Sequence, residues 1–309
     1  MHKTEPWRYE KLTWPEINDA VKQKKVVVVP IGSIEQHGPH LPLDVDMLEV
    51  TAVAQAAARL IPNDVLVLPT QVHGYTGHVM DFPGTINIHF ETLIKFMIDI
   101  GKSLAYHGFK KIIYINGHGS NAPNMDLAAR RVNVETDAEA IACNWWSMLS
   151  VDPEFMKGWR QSVIPGGCAH ACELETSVYL YVDEENVKKD QIRNGYIEFH
   201  KDQSRFSWVD LFAAGVGTKV SWTASYSDTG VLGEAELATK EKGKRAVDEA
   251  AKQFSRLVKE FGARVKPPRG DHHDPLPTMP MPWGQEFQKP TAQGDVHDVY
   301  VKKGREKKG

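Results

Sequence analysis

The chain has 309 residues, 41% hydrophobic and 25% charged, and its formal net charge of −3 leaves no basic excess for binding nucleic acid. No run approaches the roughly 18 apolar residues of a membrane span, and the opening "MHKTEPWRYEKLTWPE" has no apolar signal core, so a cytoplasmic protein is expected. Three cysteines, an odd number over this length, argue against a disulfide framework and for reduced thiols.

The predicted elements begin with a helix through "WPEINDAVKQ", opened by a capping box of Thr13 and Glu16. "KKVVVVPIG" follows, a continuous β-branched run of the kind found in strands covered on both faces. After the loop "GSIEQHGPHLPLDVD", the stretch from Asp46 reads as a helix over "MLEVTAVAQAAARLI", and "NDVLVLPTQ" reads as a second short buried strand. Beyond the Gly-rich loop "VHGYTGHVMDFPGT" comes a helix over "FETLIKFMIDIGKSLAYHG" that stops at Gly108. A third strand in "FKKIIYINGHGSN", a helix from Ala122 to about Val134 and a strand in "AEAIACNWW" complete the regular part. Strands alternating with helices imply right-handed crossovers and a largely parallel, layered α/β sheet. The last third holds a helix near "ELETSVYLYV" and a long one across "GEAELATKEKGKRAVDEAAKQFSRLVKEFG", whose alternating charges read as a solvated face. After Lys266 the chain turns Pro-rich and aperiodic, and "KKGREKKG" is expected to be disordered. The expected organisation is one domain over 1–266 and an extension over 267–309.

In open parallel sheets, sites form at the carboxyl ends of strands, where loops converge and helix N-termini point inward. Two polar motifs occupy such positions, "IEQHGPH" after the first strand and "INGHGSN" after the third. Glu35 and His37 are two apart and leave the same face of extended backbone, and Asp46 opens a helix, where a carboxylate is favoured. A pair of divalent ions about 3.5–4 Å apart needs a bridging carboxylate and terminal imidazole or carboxylate ligands. Asp46 suits the bridge, with Glu35 and His118 on one ion and His37 on the other. Glu175, in "CAHACELETSVYL", is a spare carboxylate for the second ion, and His170 lies just before it.

Plainer readings compete. The groups from Glu35 to Asp46 also suit an ordinary turn and helix cap, and His118 between glycines can mark a tight turn. "NGHGSNA" resembles an anion-binding loop but lacks the third glycine of a dinucleotide fingerprint and the Lys-Ser/Thr of a P-loop. "CAHAC" offers two thiols and an imidazole but no second cysteine pair for a zinc, which favours small buried cysteines. No G-x-S-x-G elbow supports a serine nucleophile, and His272 and His273 in the Pro-rich tail read as solvent-exposed.

Five blocks in order, "GSIEQHGPHLPLDVD", "HVMDFPGTINI", "INGHGSN", "HACELETS" and "GVLGEAELATKEKG", resemble those of the creatininase (creatinine amidohydrolase) family and span Gly32 to Gly243. The resemblance implies a three-layer α/β/α sandwich, a dinuclear centre of zinc, manganese or iron, hydrolysis of a small, usually cyclic C–N substrate, and a homohexamer. Carried over position by position, it implies metal binding by Glu35, His37, Asp46 and His118, a catalytic role for His170, and a metal-binding and catalytic role for Glu175. The pattern departs at Ser120. Creatininase itself has a metal-binding glutamate two residues after the histidine matched by His118, so a substrate other than creatinine is expected. The family also contains formamide hydrolases of flavin and deazaflavin biosynthesis, a peptide-processing member, and inositol-catabolic enzymes that cleave a C–C bond in a cyclic diketone. The Pro-rich tail and the aromatic strand end "NWW" match neither of the first two classes plainly, so the reading leans toward a polar cyclic substrate such as a keto-inositol.

The expected chemistry is attack by a metal-activated water on a carbonyl carbon, with His170 delivering a proton to the leaving atom. Trp145 and Trp146 are candidates for the pocket wall, with core packing the preferred reading for at least one of them. A binding protein without turnover is the competing class, and a proton donor beside the ions argues against it. The expected partners are a small-molecule substrate and further copies of the chain, with no nucleic acid and no membrane.

Overall fold

The structure, a computed structural model, describes residues 5–196, 204–268, 270 and 272–275. Its centre is a parallel sheet of β1 (Val26–Ile31), β2 (Val65–Val67), β3 (Lys111–Asn116) and β4 (Glu139–Asn144), in the order β2, β1, β3, β4. The register sets Val27 opposite Ile112 and Ile31 opposite Asn116, which brings the carboxyl ends of β1 and β3 level. Helices α1 (Trp14–Lys22), α2 (Val45–Leu60), α3 (Phe90–Tyr106) and α4 (Ala122–Glu135) follow the expected order. Three more complete the set: α5 (Pro153–Trp159), α6 (Glu173–Val182) and α7 (Lys240–Ala263).

Alternation along β1 makes the layers. Val26 and Val28 join one apolar cluster with α2, α6 and α7, while Val27, Val29 and Ile31 join another with α1, α3 and α4, because successive strand side chains point to opposite faces. Burial stabilises by about 1.5–3 kcal/mol per Val or Ile side chain. The four consecutive valines therefore give the loop that leaves β1 a firm root. The result is the α/β/α sandwich that the resemblance implied. Glu16 accepts from the Thr13 amide at 2.7 Å to open α1, and Gly108 takes a φ of +102° just past α3, as a helix stop requires.

Two features differ from the sequence reading, and a third decides between readings it left open. α7 begins at Lys240, where Thr239 accepts from the Lys242 amide at 3.2 Å, and not at Gly233, which lies in a strand. Its charged face is solvated, yet Ala246, Ala250, Phe254 and Val258 recur every four residues and are buried. For Trp145 and Trp146 the core reading holds at both positions. β4 ends at Asn144, and the 3-10 segment Trp145–Ser150 folds both indoles into the apolar cluster beneath α7. Finally, β5 (Cys168–His170) and β6 (Leu232–Gly233) form a small antiparallel sheet, too short to carry a periodic signal in sequence.

The three cysteines are free thiols, with Cys168 and Cys172 buried and their sulfurs 3.2 Å apart. Among the described residues no helix is long and apolar enough to cross a membrane. His272 and His273 are exposed. The rest of the Pro-rich stretch and "KKGREKKG" lie outside the described residues, apart from Pro267, Pro268, Gly270, Asp274 and Pro275.

Candidate metal centre

The site begins where β1 ends. Backbone bonds from Gly32 to the Gln71 carbonyl (2.9 Å), from Glu35 to the Leu43 carbonyl (3.1 Å) and from Ile86 to the Ile34 carbonyl (3.0 Å) hold the loop open and extended. Glu35 and His37 thus emerge on one side, 1% and 0% exposed. Asp46 sits in the first turn of α2, where the helix dipole favours a carboxylate. That turn is drawn against the end of β3 at Gly117, where a Cβ would lie 2.2 Å from the Asp46 carbonyl oxygen. Only glycine permits that approach, and it sets His118, the next residue, beside Asp46.

The two ends of the Asp46 carboxylate face different imidazoles. Its Oδ1 is 3.3 Å from His37 Nε2, and its Oδ2 is 3.2 Å from His118 Nδ1. Glu35 Oε1 stands 3.3 Å from the same His118 nitrogen, and Glu175 Oε1 stands 4.0 Å from His37 Nε2. Backbone carbonyls select the tautomers. His118 Nε2 donates to the Tyr75 carbonyl at 3.0 Å and His37 Nδ1 donates to the Glu35 carbonyl at 3.2 Å, so the opposite nitrogens are the ones turned toward the carboxylates, as protonated donors in the metal-free protein and as the atoms free to ligate once that proton is displaced. Asn116 steadies His118 further, accepting from its amide at 3.0 Å and donating to its carbonyl at 2.6 Å.

His170 closes the site from β5. Its Nδ1 is 3.5 Å from Glu35 Oε1, and its ring lies 4.3 Å from that of His37, centroid to centroid. Three overlapping sets of ligand atoms could each hold an ion: Glu35, Asp46 and His118; His37, Asp46 and Glu175; and Glu35, His37 and His170. The fold therefore brings together all six residues singled out from sequence.

The electrostatics call for positive charge. Burial disfavours the Glu35 carboxylate, yet the imidazoles of His118, His170 and His37 hold it well below its usual range. Burial would lower His37, but Asp46, Glu175 and Glu35 push it up to about 9, and Glu35 and Asp46 likewise raise His118 against its burial. Burial pushes Glu175 up to about 7, opposed by His37 and reinforced by Asp46 and Glu35. His170 goes the other way, lowered to about 3 by burial and then by the charge of His37. His37 Nε2 and Asp46 Oδ2 are buried without any hydrogen-bond partner. Unpaired imidazole and carboxylate atoms side by side are costly in a dry interior, and a divalent cation satisfies both. The residues present fit a metal.

Sequence reasoning missed several supporting groups. The Thr76 hydroxyl donates to Glu35 Oε2, and His78 lies parallel to His118 with ring centroids 6.2 Å apart. Both lie in the Gly-rich loop "VHGYTGHVMDFPGT", where His78 opens the second family block, and nothing in their spacing points at β1. Glu49 is 1% exposed, and burial and then the charges of Glu175 and Asp46 raise its carboxyl well above the usual range. Its position one turn after Asp46 on α2 was the available signal.

The match to a family model described as creatinine amidohydrolase covers residues 10–258. A mycofactocin precursor peptide peptidase of Mycobacterium tuberculosis is 32% identical over 245 residues, 75% of this chain and 85% of that protein. A creatinine amidohydrolase of Pseudomonas putida is 26% identical over 81% of this chain and 95% of its own length. A 3-dehydro-scyllo-inosose hydrolase of Thermotoga maritima is 25% identical over 83% and 84%. Among solved structures, a creatininase variant of the Zn-Zn type superposes with a TM-score of 0.66 at 25% identity, covering 82% of this chain and 98% of that one. With the model spanning most of the chain and hydrolases throughout the relatives, the protein is an amidohydrolase of the creatininase family.

Proposed function

We propose that the protein hydrolyses a carbonyl substrate at a pair of divalent ions, zinc, manganese or iron, one held by Glu35, Asp46 and His118 and the other by His37, Asp46 and Glu175. The observation that carries this reading is the Asp46 carboxylate, whose two oxygens face His37 and His118 from opposite ends. When bound, such a pair polarises a carbonyl and brings the pKa of a shared water toward neutrality. The remaining work falls to the chain. Asp46 would hold both ions, Tyr75 and Thr76 orient His118 and Glu35, and His170 would take the proton of the attacking water and return it to the leaving atom.

For the substrate, our reading is a small polar ring, either a cyclic amide or a cyclic diketone such as a keto-inositol. Ser120 supports a departure from creatinine, since a hydroxyl does not replace a carboxylate ligand. A second reading, an open-chain amide in a peptide or formamide, draws on the 32% identity to the peptide peptidase against 25% to the inosose hydrolase. Turnover on a panel of lactams, formamides, keto-cyclitols and short peptides, with and without chelator, separates the two. Elemental analysis is expected to find two divalent ions per chain, and an active sample without bound metal would overturn the metal reading. We also propose a catalytic domain over 1–266 in a homohexamer. Light scattering that reports a monomer at micromolar concentration would remove that part.

A further inference from the structure

The motif "IEQHGPH" ends on a second histidine that the metal reading does not use. His40 is 0% exposed, and its loop is clasped to α6. The His40 carbonyl accepts from the Lys188 amide at 2.9 Å, and Leu41 and Val45 join Tyr179, Leu180 and Val187 in one apolar cluster. The His40 ring reaches the first turn of that helix, where its Nε2 lies 2.9 Å from Thr176 Oγ1. Thr176 donates its single hydroxyl proton to the Ala171 carbonyl at 3.3 Å, so its oxygen is left to accept and His40 donates from Nε2. The opposite nitrogen, Nδ1, is buried with no partner among the described residues. An orphaned lone pair there costs less than an orphaned N–H, which favours the same tautomer.

Ala171, where this chain of donors ends, is an unusual residue. It lies between the end of β5 and Cys172, the N-cap of α6, and takes a φ of +50°. A residue with a Cβ keeps that left-handed conformation only where its surroundings hold it. Its carbonyl is held by Thr176, and on its other side its N–H donates to the Glu175 carboxylate. We propose that His40 is a positioning residue that holds Glu175 toward the second metal position through Thr176 and Ala171. The ring fixes the Thr176 hydroxyl, the hydroxyl fixes the left-handed turn, and the turn aims an N–H at Glu175, whose Oε1 stands 4.0 Å from His37 Nε2. No proton moves along this path, and His40 touches no reacting atom. The loop that carries His37 thereby also sets the carboxylate that faces His37 from α6. The inference rests on the reading of Glu175 as a ligand of the second ion.

The test is calorimetric zinc titration of the full chain and its variants. His40→Leu removes the donor and is expected to weaken one of the two ions by about tenfold, the cost of losing an outer partner, and to leave the other unchanged. His40→Gln sets an amide N–H near the place of Nε2 and is expected to restore the affinity, a rescue that a ring needed only for packing would not give. In the Glu175→Gln background, where one ion remains, His40→Leu is expected to cost nothing further. Thr176→Val breaks the same path one link on, should show the same selective loss, and serves if His40→Leu does not fold. Equal weakening of both ions, unchanged affinity in His40→Leu, no recovery in His40→Gln, or a further loss in the Glu175→Gln background would overturn the proposal while leaving Glu175 a ligand. Two ions at wild-type affinity in Glu175→Gln alone would overturn that parent reading, and this one with it.

Discussion

Glu35 and His118 stand at the ends of adjacent, level strands of the parallel sheet, whereas Glu175 reaches the same buried cluster from α6, in a separate part of the chain. The first pair is tied by short-range bonds to the loop around Tyr75 and Thr76 and to Asn116. Glu175 is tied instead to the turn just before its own helix, by the Ala171 backbone and a long contact from the Cys172 thiol at 3.8 Å. Its place depends on how α6 packs, with Glu173 buried and bound by the Gln161 and Ser162 amides at 3.0 Å each and by the Lys242 ammonium of α7. One half of the centre is thus set by sheet geometry and the other by helix docking. The two halves should fail in different ways.

The largest effect is expected from the residue they share. Asp46→Asn should lose both ions and at least about 10³-fold in turnover, since the group that places charge at the reacting bond is gone; retention of either ion would show that Asp46 does not bridge. Glu175→Gln should leave one ion per chain and cost more than the about 100-fold typical of an outer partner. Full metal content at the wild-type rate would reduce Glu175 to a complement of the helix dipole. Lys242→Met separates the halves through folding. It strands the buried Glu173 carboxylate, a loss of about 3–5 kcal/mol, and should weaken the ion near Glu175 while sparing the one near Glu35. Calorimetric zinc titration of the folded variant reads both sites.

Thr76→Val makes the reciprocal change, removing one hydroxyl from Glu35. About a tenfold loss of affinity is expected at the first ion only. The smallest effect is a dependence on pH. In the metal-free protein His37 is raised from 6.5 to about 9, so its contribution to stability is complete below pH 6.5 and is lost as the pH rises through about 9. The metal-free Tm should fall across that window, while the metal-loaded Tm, with the His37 proton already displaced, should not. Parallel slopes would mean that His37 is no ligand.

The strand and helix order of the sheet domain was legible because its signals are local. Four valines in succession report a strand buried on both faces, Thr13 and Glu16 report a helix start, and Gly108 reports a stop. Glu35, His37, Asp46 and His118 were legible as candidates for a related reason, since each follows a recognisable strand or opens a recognisable helix, and loops at those ends converge. Trp145 and Trp146 were not, because their burial depends on where α7 lies and not on their neighbours in sequence. The β5 and β6 pair escaped notice because two- and three-residue strands carry no period.

By itself the sequence determined the layered α/β architecture, the family and the chemical type of the ligands, because periodicity and motif order are properties of short stretches of chain. The tertiary structure alone decided that Glu175 approaches His37, that Thr76 reaches Glu35, and that His40 reaches Thr176 across 136 positions of chain. Those contacts join segments whose separation in sequence says nothing of their distance in space. They exist only once the sheet register and the packing of α6 on α7 have brought strand ends, loop and helix start into one buried cluster.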